Sequence, residues 1–241
     1  MLRTILWFIW FGVSLVLTLP FLFIVKLLDW FHKNDTRDNF VYKVTGIWAK
    51  SQVAVSGSKI RVSGEENLPK GPVLFICNHQ SNFDIPIFMS FINKPKAFIA
   101  KIETAKIPLV ASWMRLMKCV FMDRKDIRQS VEAINKGAEL LKQGYSMVIF
   151  PEGTRSKTGE IGEFKAGSFK LAVKSGVSIV PVAISGSINI MDKGSIIIKP
   201  ALVKLEILKP VEVSKLSKEE QKNLHVTVQE IIQETIRKNK A

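Results

Sequence analysis

A chain of 241 residues, 47% of them hydrophobic, is long enough for one sizeable α/β domain whose core needs neither disulfides nor a structural metal. Its two cysteines, Cys77 and Cys119, lie in apolar runs without a CxxC or Cys/His pattern, so no zinc motif is present and no metal ligands are expected. The formal charge of +14 calls for an anionic partner. The basic residues are scattered and match no nucleic-acid motif, which points to a membrane surface or a phosphorylated substrate rather than nucleic acid.

The first element comes from residues 5–25, which carry no charged side chain and are rich in Leu, Ile, Val and Phe. About 20 apolar residues match the hydrocarbon thickness of a bilayer. Trp7, Trp10 and Trp30 stand near the ends of the run, where indole rings favour the membrane–water interface. The run is too long for a cleaved signal peptide, and no small-residue cleavage site follows. It is also too apolar on all faces for an ordinary core helix. Pro20 predicts a kink or a turn back to the same side. Residues 40–55 space Phe40, Val41, Tyr42, Val44, Ile47, Trp48, Val53 and Val55 as an amphipathic helix does. Together the two segments predict a helical hairpin in the membrane, spanning it or held in one leaflet. Only Arg3 precedes the first run, whereas Lys26, Lys33, Arg37, Lys43 and Lys50 follow it. That bias puts the rest of the chain on the cytoplasmic side of the cytoplasmic (inner) membrane. The predicted division is a membrane-anchoring segment, residues 1–55, and a second domain, residues 56–241.

Beyond residue 56 short β-rich runs alternate with longer helical ones. Strands are predicted at 59–62, 73–77, 97–100, 119–122, 147–150, 179–184 and 204–207, with helices at 85–92, 127–142 and 164–174. This alternation predicts an α/β fold with a central, largely parallel sheet flanked by helices. Gly144 punctuates the end of the 127–142 helix. Ser217 followed by Glu220 has capping-box spacing and opens a last amphipathic helix to about Lys238.

Of the three histidines, only His79 falls at the end of an apolar strand, where sites form in α/β sheets. Asp84 lies five residues on. On one continuous helix the two would stand about 140° apart and could not meet. With strand before and helix after, Ser81 or Asn82 capping that helix and Pro86 in its first turn, they can. The carboxylate would then fix the imidazole tautomer and leave the other ring nitrogen as a base. The alternative is an incidental loop histidine and a helix-capping aspartate. Residues 150–156, Phe-Pro-Glu-Gly-Thr-Arg-Ser, follow another apolar strand, with Gly153 for close backbone approach and Arg155 as a planar fork suited to phosphate. That run alone reads equally as an exposed turn with a solvated arginine. Lys101 and Arg124 also follow strands. Taken together, four strand ends deliver one base and three cations, as an anionic acceptor requires.

Asn78-His79-xxxx-Asp84, Val120-Phe121-Met122-Asp123-Arg124, residues 150–156 and Val180-Pro181-Val182-Ala183-Ile184 resemble, in this order and spacing, the four motifs of the glycerolipid acyltransferase family. Within it the resemblance is greatest to the bacterial lysophosphatidate acyltransferases, over roughly residues 56–210. Phe164-Lys165-Ala166-Gly167 resembles the segment after the third motif. The chain departs from the pattern at Lys118, where the second motif usually opens with glycine.

The resemblance implies transfer of a fatty acyl group from acyl-CoA or acyl-acyl carrier protein to the sn-2 hydroxyl of lysophosphatidic acid, giving phosphatidic acid. It implies His79 as general base, Asp84 as its orienting partner, and Arg124 and Arg155 as ligands of the acceptor phosphate. Glu152, Gly153 and Thr154 would shape the site, and Lys101 is a further phosphate candidate. No cofactor beyond the acyl co-substrate, no metal and no covalent enzyme intermediate are implied. Rival readings keep the chemistry with glycerol-3-phosphate or another lysophospholipid as acceptor, or make the chain a non-catalytic module for anionic membranes. A serine hydrolase using Ser81 or Ser156 is the weakest, since no GxSxG elbow exists.

Overall fold

The computed structural model describes residues 1–240. One sheet crosses it in the order β1 (Lys59–Ser63), β7 (Leu202–Ile207), β6 (Ser178–Ser185), β2 (Val73–Cys77), β5 (Met147–Ile149), β3 (Ala97–Lys101) and β4 (Val120–Met122). Neighbours are parallel except β6 with β7. Each predicted strand is present with ends moved by two residues or fewer, and Phe150 falls just past β5.

The central strand β2 is buried throughout and serves two cores by the alternation of a strand's side chains. Val73, Phe75 and Cys77 face one core with α4 (Asp84–Phe91) and the second half of α3 (Asn34–Ser56). Leu74 and Ile76 face the other, beneath α6 (Ile127–Lys142), α7 (Ala166–Ser175) and α8 (Lys218–Lys240). The helix ends follow local chemistry. Asp126 caps α6 by accepting from the Gln129 N–H, and the Ser217–Glu220 capping box opens α8, with Ser217 N–H donating to Glu220 at 2.7 Å. A short helix that the pattern did not predict, α5 (Pro108–Leu116), starts on a proline in its first turn.

Gly137 lets α6 approach α7 and the sheet closely. A Cβ there would lie 2.6 Å from Leu171 Cδ2 and 3.2 Å from Ile99 Cδ1. Gly137→Val is therefore expected to lower stability by about 1–3 kcal/mol through overpacking, read as a fall in the thermal midpoint. An unchanged midpoint would contradict this account of the packing.

The N-terminal run breaks where proline chemistry requires. Pro20 has no N–H, and in a continuous helix its ring would collide with the Val16 carbonyl. The helix α1 (Leu2–Val16) ends at that residue, and α2 (Leu19–Trp30) restarts with Pro20 in its first turn. In the break, Thr18 Oγ1 donates to the Leu15 carbonyl at 2.6 Å and accepts from Trp113 Nε1 of α5 at 2.8 Å. The expected hairpin is thus three helices, the third lying against the sheet's helical layer. Trp7 and Trp10, expected at a membrane interface, turn inward. Trp7 Nε1 donates to the Gln52 carbonyl at 3.0 Å and Trp10 Nε1 to Ser51 Oγ at 3.0 Å, tying α1 to α3. Ile5, Leu6, Phe8, Ile9 and Phe23 remain exposed, and so does Trp30. Within Leu2–Trp30 an 18-residue stretch has a mean hydropathy of 2.4, long and apolar enough to cross a membrane by length and composition.

Candidate active site

The carboxyl ends of β2, β5 and β6 bring the sequence motifs to one edge of the sheet. His79 lies two residues past β2, and Asp84 is the first residue of α4. The turn between them delivers the pairing: His79 Nδ1 stands 2.7 Å from Asp84 Oδ2. The same oxygen accepts the backbone N–H of Gln80 at 2.7 Å and of Ser81 at 2.8 Å, while Oδ1 accepts the Ser187 hydroxyl. Asp84 is completely buried. With donors converging on that carboxylate, Nδ1 is the protonated nitrogen and Nε2 carries the free lone pair. Neither Ser81 nor Asn82 caps α4, as the sequence had led one to expect. Its N-cap is Phe83, without a side-chain cap bond, and Ser81 Oγ donates instead to the Met191 carbonyl at 2.8 Å. Asp84 instead accepts the N–H groups of Gln80 and Ser81 in the turn before α4, so one carboxylate orders both that turn and the imidazole.

The turn 150–156 wraps the backbone of His79. Glu152 Oε1 accepts the His79 N–H at 2.7 Å, and Ser156 N–H donates to the His79 carbonyl at 2.8 Å. The Phe150 ring stacks on the imidazole with centroids 4.2 Å apart. Gly153 has φ +71, in the region that favours glycine, and a Cβ there would meet Lys165 Nζ at 3.1 Å. On β2 itself, the Asn78 side chain bridges to β6, donating to the Ile184 carbonyl at 2.8 Å and accepting its N–H at 2.9 Å.

Glu152 is a brace. Its second oxygen accepts the Gly162 N–H at 3.0 Å. Burial pushes its pKa above the usual carboxylate range, against the pull of the His79 and Gly162 N–H groups. A raised folded pKa means that the folded chain binds more protons than the unfolded one just above pH 4.5, so this group's contribution to stability falls as pH rises through that window. Glu152→Gln should remove that slope and set an amide N–H₂ against a backbone N–H. A loss of about 1–3 kcal/mol in stability is expected, with slower turnover, from paired thermal melts and rate assays across pH 4–8. Wild-type activity together with an unchanged pH slope would contradict the bracing role.

The cations are placed less uniformly than the motifs imply. Arg124, just past β4, donates Nη1–H to the Gly153 carbonyl, so it pins the third motif to the second. Burial lowers its pKa while Glu103 opposes the shift. Arg155 is half-buried. Lys101, at the end of β3, is exposed and pairs with Glu103 at 2.9 Å instead of standing free. Thr154 is exposed, and its Oγ1 accepts from Lys193 Nζ at 3.0 Å; the same ammonium donates to the Arg155 carbonyl at 2.6 Å. Lys193 and Ser187 were not found by sequence reasoning. Both follow β6, but a serine or lysine two to eight residues past a strand carries no distinctive spacing.

No activated nucleophile accompanies the histidine. Burial raises the Cys77 thiol well above its ordinary range, reinforced by Asp84 and Glu152, and burial pushes Cys119 up to about 12. Ser81 is buried and committed to Met191, and Ser156 Oγ accepts the Gly159 N–H at 2.9 Å in a turn.

A family profile described as acyltransferase matches residues 59–185, which take in all four motifs. Over 182 residues the chain is 38% identical to 1-acyl-sn-glycerol-3-phosphate acyltransferase LPAT1, chloroplastic, of Arabidopsis thaliana, covering 74% of this chain and 51% of that protein. It is 35% identical over 199 residues to a probable 1-acyl-sn-glycerol-3-phosphate acyltransferase of Mycoplasma pneumoniae, covering 74% of this chain and 71% of the relative. The match thus spans about half the length of the plant protein and most of the mycoplasmal one. The crystal structure of the 1-acyl-sn-glycerophosphate (LPA) acyltransferase PlsC from Thermotoga maritima superposes with a TM-score of 0.86 at 31% identity, covering 100% of this chain and 97% of that one. The histidine–carboxylate pair at the end of β2 and the clamp from Asn78 to β6 both lie within the matched profile, and on this likeness of sequence and fold the chain belongs to the acyltransferase family.

Proposed function

We propose that the protein transfers a fatty acyl group from an acyl thioester, carried on coenzyme A or acyl carrier protein, to the sn-2 hydroxyl of lysophosphatidic acid, giving phosphatidic acid for phospholipid synthesis. The observation that carries this reading is the imidazole of His79 held at 2.7 Å by a fully buried Asp84. Its relatives are 1-acyl-sn-glycerol-3-phosphate acyltransferases by name, which supports the choice of acceptor.

His79 Nε2 takes the proton of the acceptor hydroxyl as its oxygen attacks the thioester carbonyl. The tetrahedral intermediate collapses with loss of the thiolate, which takes the proton back from the imidazolium. One C–O bond forms and one C–S bond breaks, so the enzyme is unchanged and the reaction needs no cofactor or metal. Asp84 steadies the cationic ring during this passage. Arg155, with the remaining donors of Arg124 and with Lys101, holds the acceptor phosphate, while Gly153, Thr154 and Glu152 set the shape of the turn around it. Residues 1–55 anchor the enzyme on the cytoplasmic side of the cytoplasmic membrane, with the exposed apolar faces of α1 and α2 in the bilayer, from which acceptor and acyl chain enter.

The test is product formation by the full chain in detergent, with lysophosphatidic acid, glycerol-3-phosphate and lysophosphatidylcholine as acceptors, each offered a long-chain acyl-CoA and an acyl-acyl carrier protein. Phosphatidic acid from lysophosphatidic acid is expected with at least one donor. Preferred acylation of either other acceptor would move the assignment within the family. Silence from every pair would overturn it.

A further inference from the structure

At the sheet edge opposite His79, the amino ends of β2, β3, β4 and β5 and the first half of α3 enclose a cavity of about 250 Å³. At about 3.3 Å per residue, the intervening strands separate it from the active site by roughly 15 Å. Its charged lining is one-sided: Lys70, Lys94, Lys96 and Lys118 against Asp38 alone. Asp38 is already engaged, by Arg37 at 2.6 Å and by the Tyr145 hydroxyl at 3.0 Å. Among the described residues, none of the four lysines pairs with a carboxylate.

These ammonium groups are built into the fold. Lys96 is 7% exposed; its Nζ donates to the carbonyls of Ile92 at 2.6 Å, Lys94 at 2.8 Å and Met89 at 3.4 Å, which takes up its three N–H groups, and lies 5.4 Å from the Tyr42 ring centroid, so it contributes positive charge to the cavity rather than a hydrogen bond. Lys94 reaches the carbonyls of Pro69 at 2.8 Å and Lys70 at 3.2 Å. Lys118 has φ +62, a conformation that favours glycine, yet a lysine stands there with its ammonium 5.9 Å from the Tyr145 ring. Burial lowers the Lys96 pKa to about 7, and an anion beside it would favour the charged form. The remaining wall is apolar, with Val41 and Met117 continuing into the cluster that packs α2.

We propose that this cavity binds a phosphate-bearing ligand, at a second anion site separate from the acyl-transfer centre. With Lys96 held by three carbonyls and Lys94 by two, Lys70, Lys118 and the remaining donor of Lys94 are the lining groups left to meet the acceptor oxygens of a phosphate. The apolar wall beside α2 suits the glycerol end of a lipid headgroup, and a soluble phosphate ester presents the same anion. Because the ligand would touch both α3 and the strand ends, its binding would fasten the N-terminal helices to the sheet.

The chain contains two tyrosines, Tyr42 and Tyr145, and both line this cavity. Ring-labelled tyrosine in the full chain therefore yields two NMR reporters at the site. Titration with inorganic phosphate and with glycerol-3-phosphate, and transfer into vesicles of phosphatidylglycerol against phosphatidylcholine, should shift both signals saturably with at least one phosphate probe. Sodium chloride at equal ionic strength should not. Response to the soluble probes identifies a free phosphate ester, and response to phosphatidylglycerol vesicles alone identifies a lipid headgroup. Lys70→Gln with Lys118→Gly should weaken the response at least tenfold while acyl transfer continues, and Lys118→Gly by itself relieves backbone strain if the pair folds poorly. Arg155→Ala, at the other edge, should keep the response. No saturable shift with any phosphate probe, a shift that survives the lysine substitutions, or one lost in Arg155→Ala would each overturn the proposal.

Discussion

Asp84→Asn is expected to lower turnover, by up to about 10⁴-fold where the amide imposes the wrong histidine tautomer, the scale on which that loss acts in a Ser-His-Asp triad. The wild-type carboxylate accepts from four donors: the ring of His79, the N–H groups of Gln80 and Ser81, and the hydroxyl of Ser187. An amide offers one oxygen. If that oxygen keeps the two backbone N–H groups and His79, the N–H₂ faces Ser187, whose hydroxyl can turn to accept. If it faces Ser187, the N–H₂ opposes two N–H donors and forces Nδ1 to become an acceptor, which puts the proton on Nε2 and removes the base. The first arrangement retains part of the activity and the second abolishes it. Asp84→Ala leaves the buried N–H groups of Gln80 and Ser81 without that partner as well, and a fall of several kcal/mol in stability is expected with the loss of rate. The check is turnover alongside thermal unfolding. An Asp84→Asn enzyme with wild-type turnover would refute the orienting role.

His79→Ala should lose about 10²–10⁴-fold in turnover with its thermal midpoint close to that of the parent chain. The asymmetry with Asp84 follows from burial. The imidazole is at the mouth of the site with 13% of its side chain exposed, and its removal leaves the carboxylate still holding Gln80, Ser81 and Ser187. The fold near the turn is held by the His79 backbone, which alanine preserves in its bonds to Glu152 and Ser156. The effect should fall on kcat, with acceptor binding little changed, because the cations around the 150–156 turn are untouched. A folded variant with full activity would sink the general-base assignment.

The pairing of His79 with Asp84 was open to sequence reasoning because both residues belong to one strand–turn–helix segment, whose geometry follows from an apolar run, a break and a helix start. The central strands β2, β5 and β6 were open because burial on both faces leaves a continuous apolar run, whereas β1 and β7 show the alternation of half-buried strands. The short helix α5 escaped, because its nine residues are fewer than the window of about 11–18 over which helical periodicity is read. Trp7 and Trp10 were read as interfacial from composition; what only the fold adds is that α3 offers their indole N–H groups partners at the Gln52 carbonyl and Ser51 Oγ.

What the sequence by itself determined, then, is local: most of the elements and their order, the pairing of His79 with Asp84, and the family that the ordered motifs resemble. Tertiary structure alone decided which distant groups meet. Ser187 reaches Asp84 across 103 residues, Glu152 reaches the His79 N–H across 73, and Lys193 reaches Thr154 across 39. It also decided what each cation touches besides any ligand: Arg124 spends one donor on the Gly153 carbonyl, and Lys101 makes an exposed pair with Glu103. The physical reason is common to all of them. A hydrogen bond within a turn is set by a few dihedral angles of neighbouring residues, whereas a bond between strand ends exists only after the sheet has stacked its strands in order, and no spacing along the chain encodes that order.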